Sequence, residues 1–198
     1  MTYQIHRYPA DLIDVVTLPG TGRVVIRPVL PQDLDLTARF FRDLSQSARY
    51  DRFLSPARQL PDDLLRRFTE IDYADHCALV GEVFSGGAES VVAEARYIRA
   101  TDEPSAEFAV AVAEPWQGKG LASRMLSALV CRAGASGIAR ITGQTLATNE
   151  RMLHLARKAG FVVRHSPDTR GLMLLERDVA PAPPGKICNC NAQSAAAA

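Results

Sequence analysis

One segment of the chain carries the residues best suited to binding an anion. It runs from Ala106 to Ala122 and is predicted to form a strand, a short turn and the start of a helix. The turn contains Gly118 and Gly120, which lack a Cβ atom, so a ligand can approach the backbone closely. The first N–H groups of a helix have no partner inside the helix, and the dipole is positive at that end. The segment therefore predicts an anion site.

The charges around this turn favour a bound phosphate or pyrophosphate. Helix starts usually attract Asp or Glu, yet no carboxylate occurs between Gln117 and Arg132. Lys119 and Arg124 occur there instead, and they are unfavourable beside a positive helix end unless an anion binds. The spacing matches neither the P-loop nor the dinucleotide-binding glycine pattern. The alternative interpretation is a glycine-rich turn with surface cations.

The same segment matches a known cofactor loop. Gln117, Gly120 and Ala122 form the pattern Gln-x-x-Gly-x-Ala. Here the chain resembles the GNAT superfamily of N-acetyltransferases, whose loop for the pyrophosphate of acetyl-CoA reads Gln/Arg-x-x-Gly-x-Gly/Ala. The resemblance continues to Asn149 and to the Gly-Phe pair that starts at Gly160, and it covers roughly residues 24–176. It implies the GNAT fold, with acetyl-CoA as co-substrate and no metal.

Shorter segments resemble a narrower group, the bacterial protein lysine acetyltransferases of the Pat type. Members of that group often carry a regulatory or acyl-CoA-synthetase-like domain fused to the transferase. At 198 residues this chain is too short for either, so we expect the transferase module alone. The segments that carry this resemblance are 27–28, 40–45, 47–50 with 52–53, 71–73, 106–107, 144–146 and 149–153.

The resemblance implies direct transfer of an acetyl group to an amine in a ternary complex. A lysine amine has a pKa of ~10.4, so only about one in a few thousand is neutral at pH 7 and a general base is needed. Glu107 is our candidate, because Pat-type enzymes place a catalytic glutamate on the matching strand. Its neighbours Ala106 and Phe108 are apolar, and an enclosed carboxylate is a stronger base than a solvated one. Glu82 and Glu94 are the alternatives, as is a Glu107 that simply faces solvent.

The resemblance also indicates which residues hold the co-substrate. An N–H of the strand that contains Val110 is expected to donate to the thioester carbonyl, where negative charge develops. Asn149 is expected to bind the cofactor arm, and it is also a good helix N-cap residue. The expected cofactor-binding residues are Val110, Ala111, Val112, Gln117, Gly118, Lys119, Gly120, Leu121, Ala122, Ser123 and Asn149.

One position departs from the family pattern. Many GNAT enzymes have a tyrosine four residues before the Gly-Phe pair, where it protonates the departing sulfur, and this chain has Ala156. A thiol has a pKa of ~8.5, so its thiolate leaves with little help near neutral pH. Tyr97 and Ser105 are the only substitutes that the sequence suggests.

The predicted elements alternate in a way that favours an α+β fold with a mixed, mostly antiparallel sheet flanked by helices. A hairpin with its turn at 19–22 is followed by two helices, which begin at Pro31 and Pro61. The later elements are strands 77–84, 91–98 and 107–112, a helix 118–133, a strand 141–146, a helix 150–159 and strands 161–165 and 172–176.

Composition narrows the class of protein. Hydrophobic residues make up 47% of the chain, enough for a sizeable core, and the net charge of +1 does not favour nucleic acid as a partner. No apolar run approaches the ~18 residues of a membrane span, and the N-terminus lacks an apolar signal region, so we expect a cytoplasmic protein. We expect a transferase domain over 1–179 and a disordered tail over 180–198. Cys188 and Cys190 in that tail are too few ligands to predict a metal site.

Three functions are compatible with these patterns. The first is a protein lysine acetyltransferase, for example one that acts on an acyl-CoA synthetase. The second is an acetyltransferase for a small amine, because the same cofactor site serves both. The third is a non-catalytic CoA-binding module, which only the alanine at position 156 supports. The acceptor, the acyl-chain preference and the oligomeric state stay open at this point.

Overall fold

A single mixed sheet organises the protein. The computed structural model describes residues 8–55, 59–100 and 103–181, and in these residues eight strands and five α-helices are present. The strands are β1 (Asp14–Leu18), β2 (Gly22–Pro28), β3 (His76–Ser85), β4 (Ala88–Arg99), β5 (Ser105–Val112), β6 (Arg140–Leu146), β7 (Val162–His165) and β8 (Leu172–Asp178). The helices are α1 (Leu34–Asp43), α2 (Gln46–Phe53), α3 (Asp62–Thr69), α4 (Leu121–Ala135) and α5 (Glu150–Lys158).

The sheet has one parallel junction, and there two strands diverge. The strand order is β1-β2-β3-β4-β5-β6-β8-β7, and every pair is antiparallel except β5 with β6. These two strands pair only from Ser105 with Arg140 to Glu107 with Thr142. Both strands continue for several residues beyond the last pair. A wedge-shaped opening therefore forms in the middle of the sheet.

The alternation of side chains along β5 divides the core into two layers. Ala106, Phe108 and Val110 point to the face covered by α4, where they share one buried cluster with Met125 and Leu129. The intervening residues point to the other face, and Ala111 packs there in a second cluster with side chains of α1 and α3. The sheet is thus sandwiched between α4 and α5 on one face and α1 to α3 on the other.

The predicted fold class is confirmed, and two element predictions are wrong. Three helices, not two, precede β3, because α2 was not predicted; its N-cap Ser45 accepts a hydrogen bond from the Ala48 N–H at 3.1 Å. Helix α4 begins at Leu121, so the two glycines of the loop precede it, and Gly134 lies inside it. Of the predicted tail, residues 182–198, with Cys188 and Cys190, lie outside the described residues.

Candidate active site

A cleft of about 540 Å³ opens where β5 and β6 diverge. Its walls come from the end of β5, the loop after it, the first turn of α4, and one side each of α2 and α5. The residues that line it are Ser47, Ala48, Asp51, Arg52, Val110, Ala111, Val112, Glu114, Trp116, Gln117, Gly118, Gly120, Leu121, Ala122, Ser123, Asn149, Glu150, Arg151, Met152, His154, Leu155 and Lys158.

The loop between β5 and α4 exposes backbone donors to this cleft. Gly118 and Gly120 have φ angles of +72° and +88°, in the left-handed region that favours glycine. A Cβ atom at either position would meet no described atom within 4 Å, so open space lies beside the backbone. The first intrahelical bond runs from the Arg124 N–H to the Gly120 carbonyl, which leaves the three preceding helix N–H groups without a helical acceptor. The geometry is that of an anion site at a helix N-terminus.

One of the two cations near this helix end already has an anionic partner within the protein. The Arg124 guanidinium forms an ion pair of 2.6 Å with Asp14 of β1. That carboxylate, 110 residues upstream, offsets the charge that we expected an anion to offset. Lys119 is half-buried, with its Nζ 5.9 Å from the centre of the Trp116 ring. The backbone N–H donors of the loop, rather than the charges of Lys119 and Arg124, therefore indicate that an anion binds here.

Gln117 holds the loop against the end of β5. Its Nε2 donates to the Val112 carbonyl at 2.7 Å. Its Oε1 accepts a hydrogen bond from the guanidinium of Arg151, which belongs to α5 on the opposite wall. The Gln117 side chain thus ties strand, loop and α5 together, and its role in this structure is to shape the cleft.

The hydrogen-bond register shows which N–H groups of β5 face the opening. The Ala113 N–H donates to the Val92 carbonyl. Because hydrogen-bonded pairs alternate with non-hydrogen-bonded pairs along an antiparallel ladder, every second residue of β5 directs its N–H group to β4. Ala111 and Glu94 are the next such pair, so the N–H groups of Val110 and Val112 point away from β4. Since β6 has diverged at this level, those two N–H groups face the cleft. They are suited to stabilise negative charge on a carbonyl oxygen.

Asn149 and Ala156 occupy different sides of α5. Asn149 is the N-cap, and its Oδ1 accepts from the Met152 N–H at 3.1 Å. Its amide NH₂ has no partner in the described part of the chain and belongs to a residue that lines the cleft. Ala156 is 0% exposed and packs in the core, so it presents nothing to the cleft. His154, two residues before Ala156 in the chain, is exposed and lines the cleft.

Glu107 lies at the apex of the divergence rather than inside the cleft. It forms the last pair between β5 and β6, with Thr142, and its other neighbour in the sheet is Ile98. Its side chain is exposed, so the expectation that apolar residues enclose it is wrong. Ala106 and Phe108 point to the opposite face of the sheet, because successive residues of a strand alternate.

Helix α2 contributes side chains that the sequence interpretation overlooked. Ser47, Ala48, Asp51 and Arg52 follow helical spacing along the side of α2 that lines the cleft. The Arg52 side chain is 8% exposed and lies 3.4 Å from Glu94, with its guanidinium 4.8 Å from the Phe53 ring. The polar cap at Ser45 was the one signal in the sequence that could have revealed this helix.

A buried charged cluster lies beneath α2. Glu94 is 1% exposed and pairs with both Arg52 and Arg96. The Arg96 guanidinium lies over the Phe68 ring at 3.6 Å and donates to Nε2 of His76 at 2.9 Å. Burial, with the Arg96 charge, lowers the pKa of His76 to about 3, so this imidazole is neutral at pH 7. Glu94 is thus held by two guanidinium groups.

The structure brings most of the predicted site residues together. Of the eleven expected cofactor-binding residues, all but Lys119 line the cleft. Tyr97 lies elsewhere, buried and bonded to the Ala74 carbonyl, and Ser105 bonds Glu103 at an exposed position. Neither therefore replaces the tyrosine that is missing from α5.

Comparison with known proteins agrees with this geometry. The profile of the acetyltransferase (GNAT) domain family matches residues 23–162. The chain belongs to the GNAT acetyltransferase family. It is accordingly an acetyl-CoA-dependent N-acyltransferase. Among the helices of residues 8–55, 59–100 and 103–181, none has the length and apolar character that crossing a membrane requires.

Individual GNAT relatives cover different shares of their own length. An acetyltransferase of Pseudomonas aeruginosa is 30% identical over 154 residues, 78% of this chain and 83% of that protein. The acetyltransferase Pat of Mycolicibacterium smegmatis is 34% identical over 158 residues, 79% of this chain but only 46% of Pat. The crystal structure of the GNAT domain of S. lividans PAT has a TM-score of 0.77 and 29% identity, covering 87% of this chain and 99% of that domain. The chain is thus similar to about half of Pat.

Proposed function

We propose that this GNAT domain transfers an acetyl group from acetyl-CoA to the side-chain amine of a protein lysine. The observation that carries the proposal is the divergence of β5 from β6. Because the strands diverge, the Val110 and Val112 N–H groups point into a cleft that ends at the glycine-rich start of α4. The similarity to Pat supports a protein lysine as acceptor. Because the chain spans about half of the mycobacterial Pat, the acceptor is part of the proposal.

The two ends of the cleft suit the two ends of acetyl-CoA. The N–H groups between Gly118 and Ser123 hold the pyrophosphate, because they are unpaired donors at the positive end of α4. The backbone groups of β5 that β6 leaves unpaired form hydrogen bonds with the amide groups of the pantetheine arm. The arm thus takes the place that β6 would occupy if it stayed paired with β5. The amide NH₂ of Asn149 donates to the same arm. The thioester then lies beside Val110, close to the apex.

Transfer in this cleft requires one base and one oxyanion donor. Glu107 removes the proton from the acceptor ammonium, directly or through one water, and the neutral amine attacks the thioester carbon. The Val110 N–H donates to the carbonyl oxygen while it carries negative charge. The C–S bond then breaks, the sulfur leaves as a thiolate, and the nitrogen gives up its remaining extra proton to water, so no protein acid is needed near neutral pH. The products are an acetylated lysine and CoA.

Glu107 is preferred over Glu94 as the base because of their surroundings. Glu107 is exposed at the apex, on the sheet face away from α4, where an acceptor can reach it without crossing the cofactor. Glu94 is buried, and its two carboxylate oxygens pair with the guanidinium groups of Arg52 and Arg96. A substrate amine therefore cannot reach this carboxylate without displacing those partners.

The experiment that tests the proposal compares classes of acceptor. Release of CoA is followed with purified acetyl-CoA synthetase as the protein acceptor and with a panel of polyamines, amino acids and aminoglycosides. We expect kcat/KM to be highest for the folded protein. Turnover confined to one small amine would replace the proposal by a small-molecule acetyltransferase. Tight acetyl-CoA binding without any transfer would replace it by a CoA-binding module.

A further inference from the structure

Three carboxylates line the cleft, and only one of them lacks a structural role. Glu114 accepts a hydrogen bond from the Ser45 side chain, which lowers the pKa of its carboxyl group. Glu150 is exposed in the first turn of α5, where the helix dipole favours a negative charge. Asp51 lies in the last turn of α2 and, among the described residues, has neither a capping role nor a bonded partner.

The surroundings of Asp51 offer it a nearby cation but, in the described part of the chain, no bonded partner. In the described part of the chain it has no hydrogen bond and no ion pair, and its side chain is half-buried. The cation next to it in sequence, Arg52, is turned to Glu94. The cation that faces it from α5, Arg151, is bonded to Gln117. Burial raises the pKa of Asp51 in spite of the Arg151 charge.

A carboxylate in this position opposes the co-substrate. CoA carries several negative charges, and a half-buried negative charge in the same cleft repels them. The charge of Arg151 acts on Asp51, but its guanidinium is hydrogen-bonded to Gln117 rather than to this carboxylate. An unpaired carboxylate that faces a ligand cleft is suited to a positively charged ligand. The one cationic ligand in the proposed reaction is the acceptor, because a lysine amine is almost entirely protonated at pH 7.

We propose that Asp51 binds the ammonium group of the acceptor before transfer and is therefore a recognition residue for the amine. The inference rests on the proposed function. Helix α2 packs on the sheet face that carries Ala111 and Glu107, since Ala48 joins the buried cluster of Ala111. An ammonium bound at Asp51 thus lies on the same face as the proposed base. Asp51 attracts the cation, and Glu107 removes its proton.

The test separates recognition from chemistry by using two matched variants and two measurements. Asp51→Asn removes the charge at constant size, and Glu150→Gln removes the charge of another cleft-lining carboxylate. The first measurement is steady-state acetylation, with kcat and KM for the amine. The second is equilibrium binding of the amidated peptide acetyl-Gly-Lys-Gly to the CoA complex by NMR titration. This complex cannot transfer an acetyl group, so binding is read without turnover.

We expect Asp51→Asn to raise the KM for the amine and the peptide dissociation constant by about tenfold or more, with kcat within a few-fold of the parent. Its affinity for acetyl-CoA should stay the same or increase, since a repelling charge is gone. Glu150→Gln and a peptide with acetylated lysine serve as controls. Peptide binding that Asp51→Asn leaves unchanged would overturn the inference, and so would a variant whose only defect is weaker acetyl-CoA binding. A parent protein that does not bind the peptide would overturn it as well. Peptide binding that depends on Asp51 in a protein without transferase activity would refute the proposed function alone.

Discussion

The ring of Phe108 fills the space where a side chain at Gly143 would lie. An ideal Cβ on Gly143 would be 2.6 Å from Cε1 of Phe108, closer than real Cβ atoms come to other heavy atoms. Both residues lie just beyond the last pair between β5 and β6, and the same ring packs on Phe161 with centres 4.9 Å apart. The aromatic ring thus occupies the start of the divergence, and glycine on the facing strand makes room for it.

Gly143→Ala is expected to destabilise the protein by about 1–3 kcal/mol, because the added methyl group overpacks the Phe108 ring. Urea unfolding measures the change. Gln144→Ala, at the exposed next position of β6, is the control and should stay within about 0.5 kcal/mol of the parent. In the Gly143→Ala background, Phe108→Leu should cost less than it does alone. An alanine variant as stable as the parent would contradict the contact.

Gly120→Ala is expected to weaken acetyl-CoA binding about tenfold, because an alanine at φ +88° costs roughly 1–2 kcal/mol and the loop relaxes away from its donor arrangement. Fluorescence of Trp116, the one tryptophan in the chain and a cleft-lining residue, reports the titration. Gly137→Ala is the matched control, since Gly137 also has a positive φ, +73°, but lies outside the cleft. Equal effects of both variants on affinity would argue against the loop as the anion site.

Ala156→Tyr should not create a general acid, although many GNAT enzymes have a tyrosine at this position. Ala156 is 0% exposed in the core, so a phenol there overpacks α5 against the sheet and costs about 1–3 kcal/mol or more. His154→Tyr is the control, because it places a phenol on the cleft side of the same helix. Thermal unfolding and kcat are measured for both. A stable Ala156→Tyr enzyme with a higher kcat would contradict the assigned packing.

His76 should make the protein less stable as the pH falls. Its pKa is lowered to about 3 in the folded protein by burial and by Arg96, against about 6.5 in the unfolded chain. Below pH 6.5 the unfolded chain binds a proton that the folded protein does not, so this contribution is intact above that pH and is lost towards pH 3. The loss is about 2 kcal/mol at pH 5.

The comparison that isolates this effect uses His76→Gln, whose amide oxygen can still accept the hydrogen bond from Arg96. Urea unfolding at pH 7.5 and pH 5 should show a smaller pH dependence for this variant than for the parent. His154→Gln, at an exposed position, should retain the parent's dependence. If the His76 variant and the parent lose the same stability, another group is responsible.

Local pattern was enough to predict the central part of the site. The strand, glycine loop and helix of residues 105–135 follow one another directly, so their types and order are readable from the residues themselves. The N-cap role of Asn149 was predictable for the same reason. The exposure of Glu107 was predictable too, from the alternation of Ala106, Phe108 and Val110, but the apolar neighbours in sequence were taken for neighbours in space.

Contacts between distant segments were not predictable. Asp14 neutralises Arg124 across 110 residues, and no local rule connects them. Helix α2 has eight residues and none of its side chains is fully buried, so it lacks the apolar periodicity that reveals longer helices. It nevertheless brings Asp51 to the cleft. The wall of the cleft that α2 forms was therefore not predictable from the sequence, whereas the loop before α4 was.

The most direct test of the account is the intact mass of purified acetyl-CoA synthetase after incubation with acetyl-CoA and either the parent protein or Glu107→Gln. We predict a gain of one acetyl group with the parent and a loss of rate of roughly 10²–10⁴-fold with the variant. Acetyl-CoA affinity should be the same for both, because Glu107 lies outside the cleft. Acetylation at the parent rate by Glu107→Gln would contradict the assigned base. No acetylation by a parent protein that binds acetyl-CoA would contradict the choice of this protein acceptor.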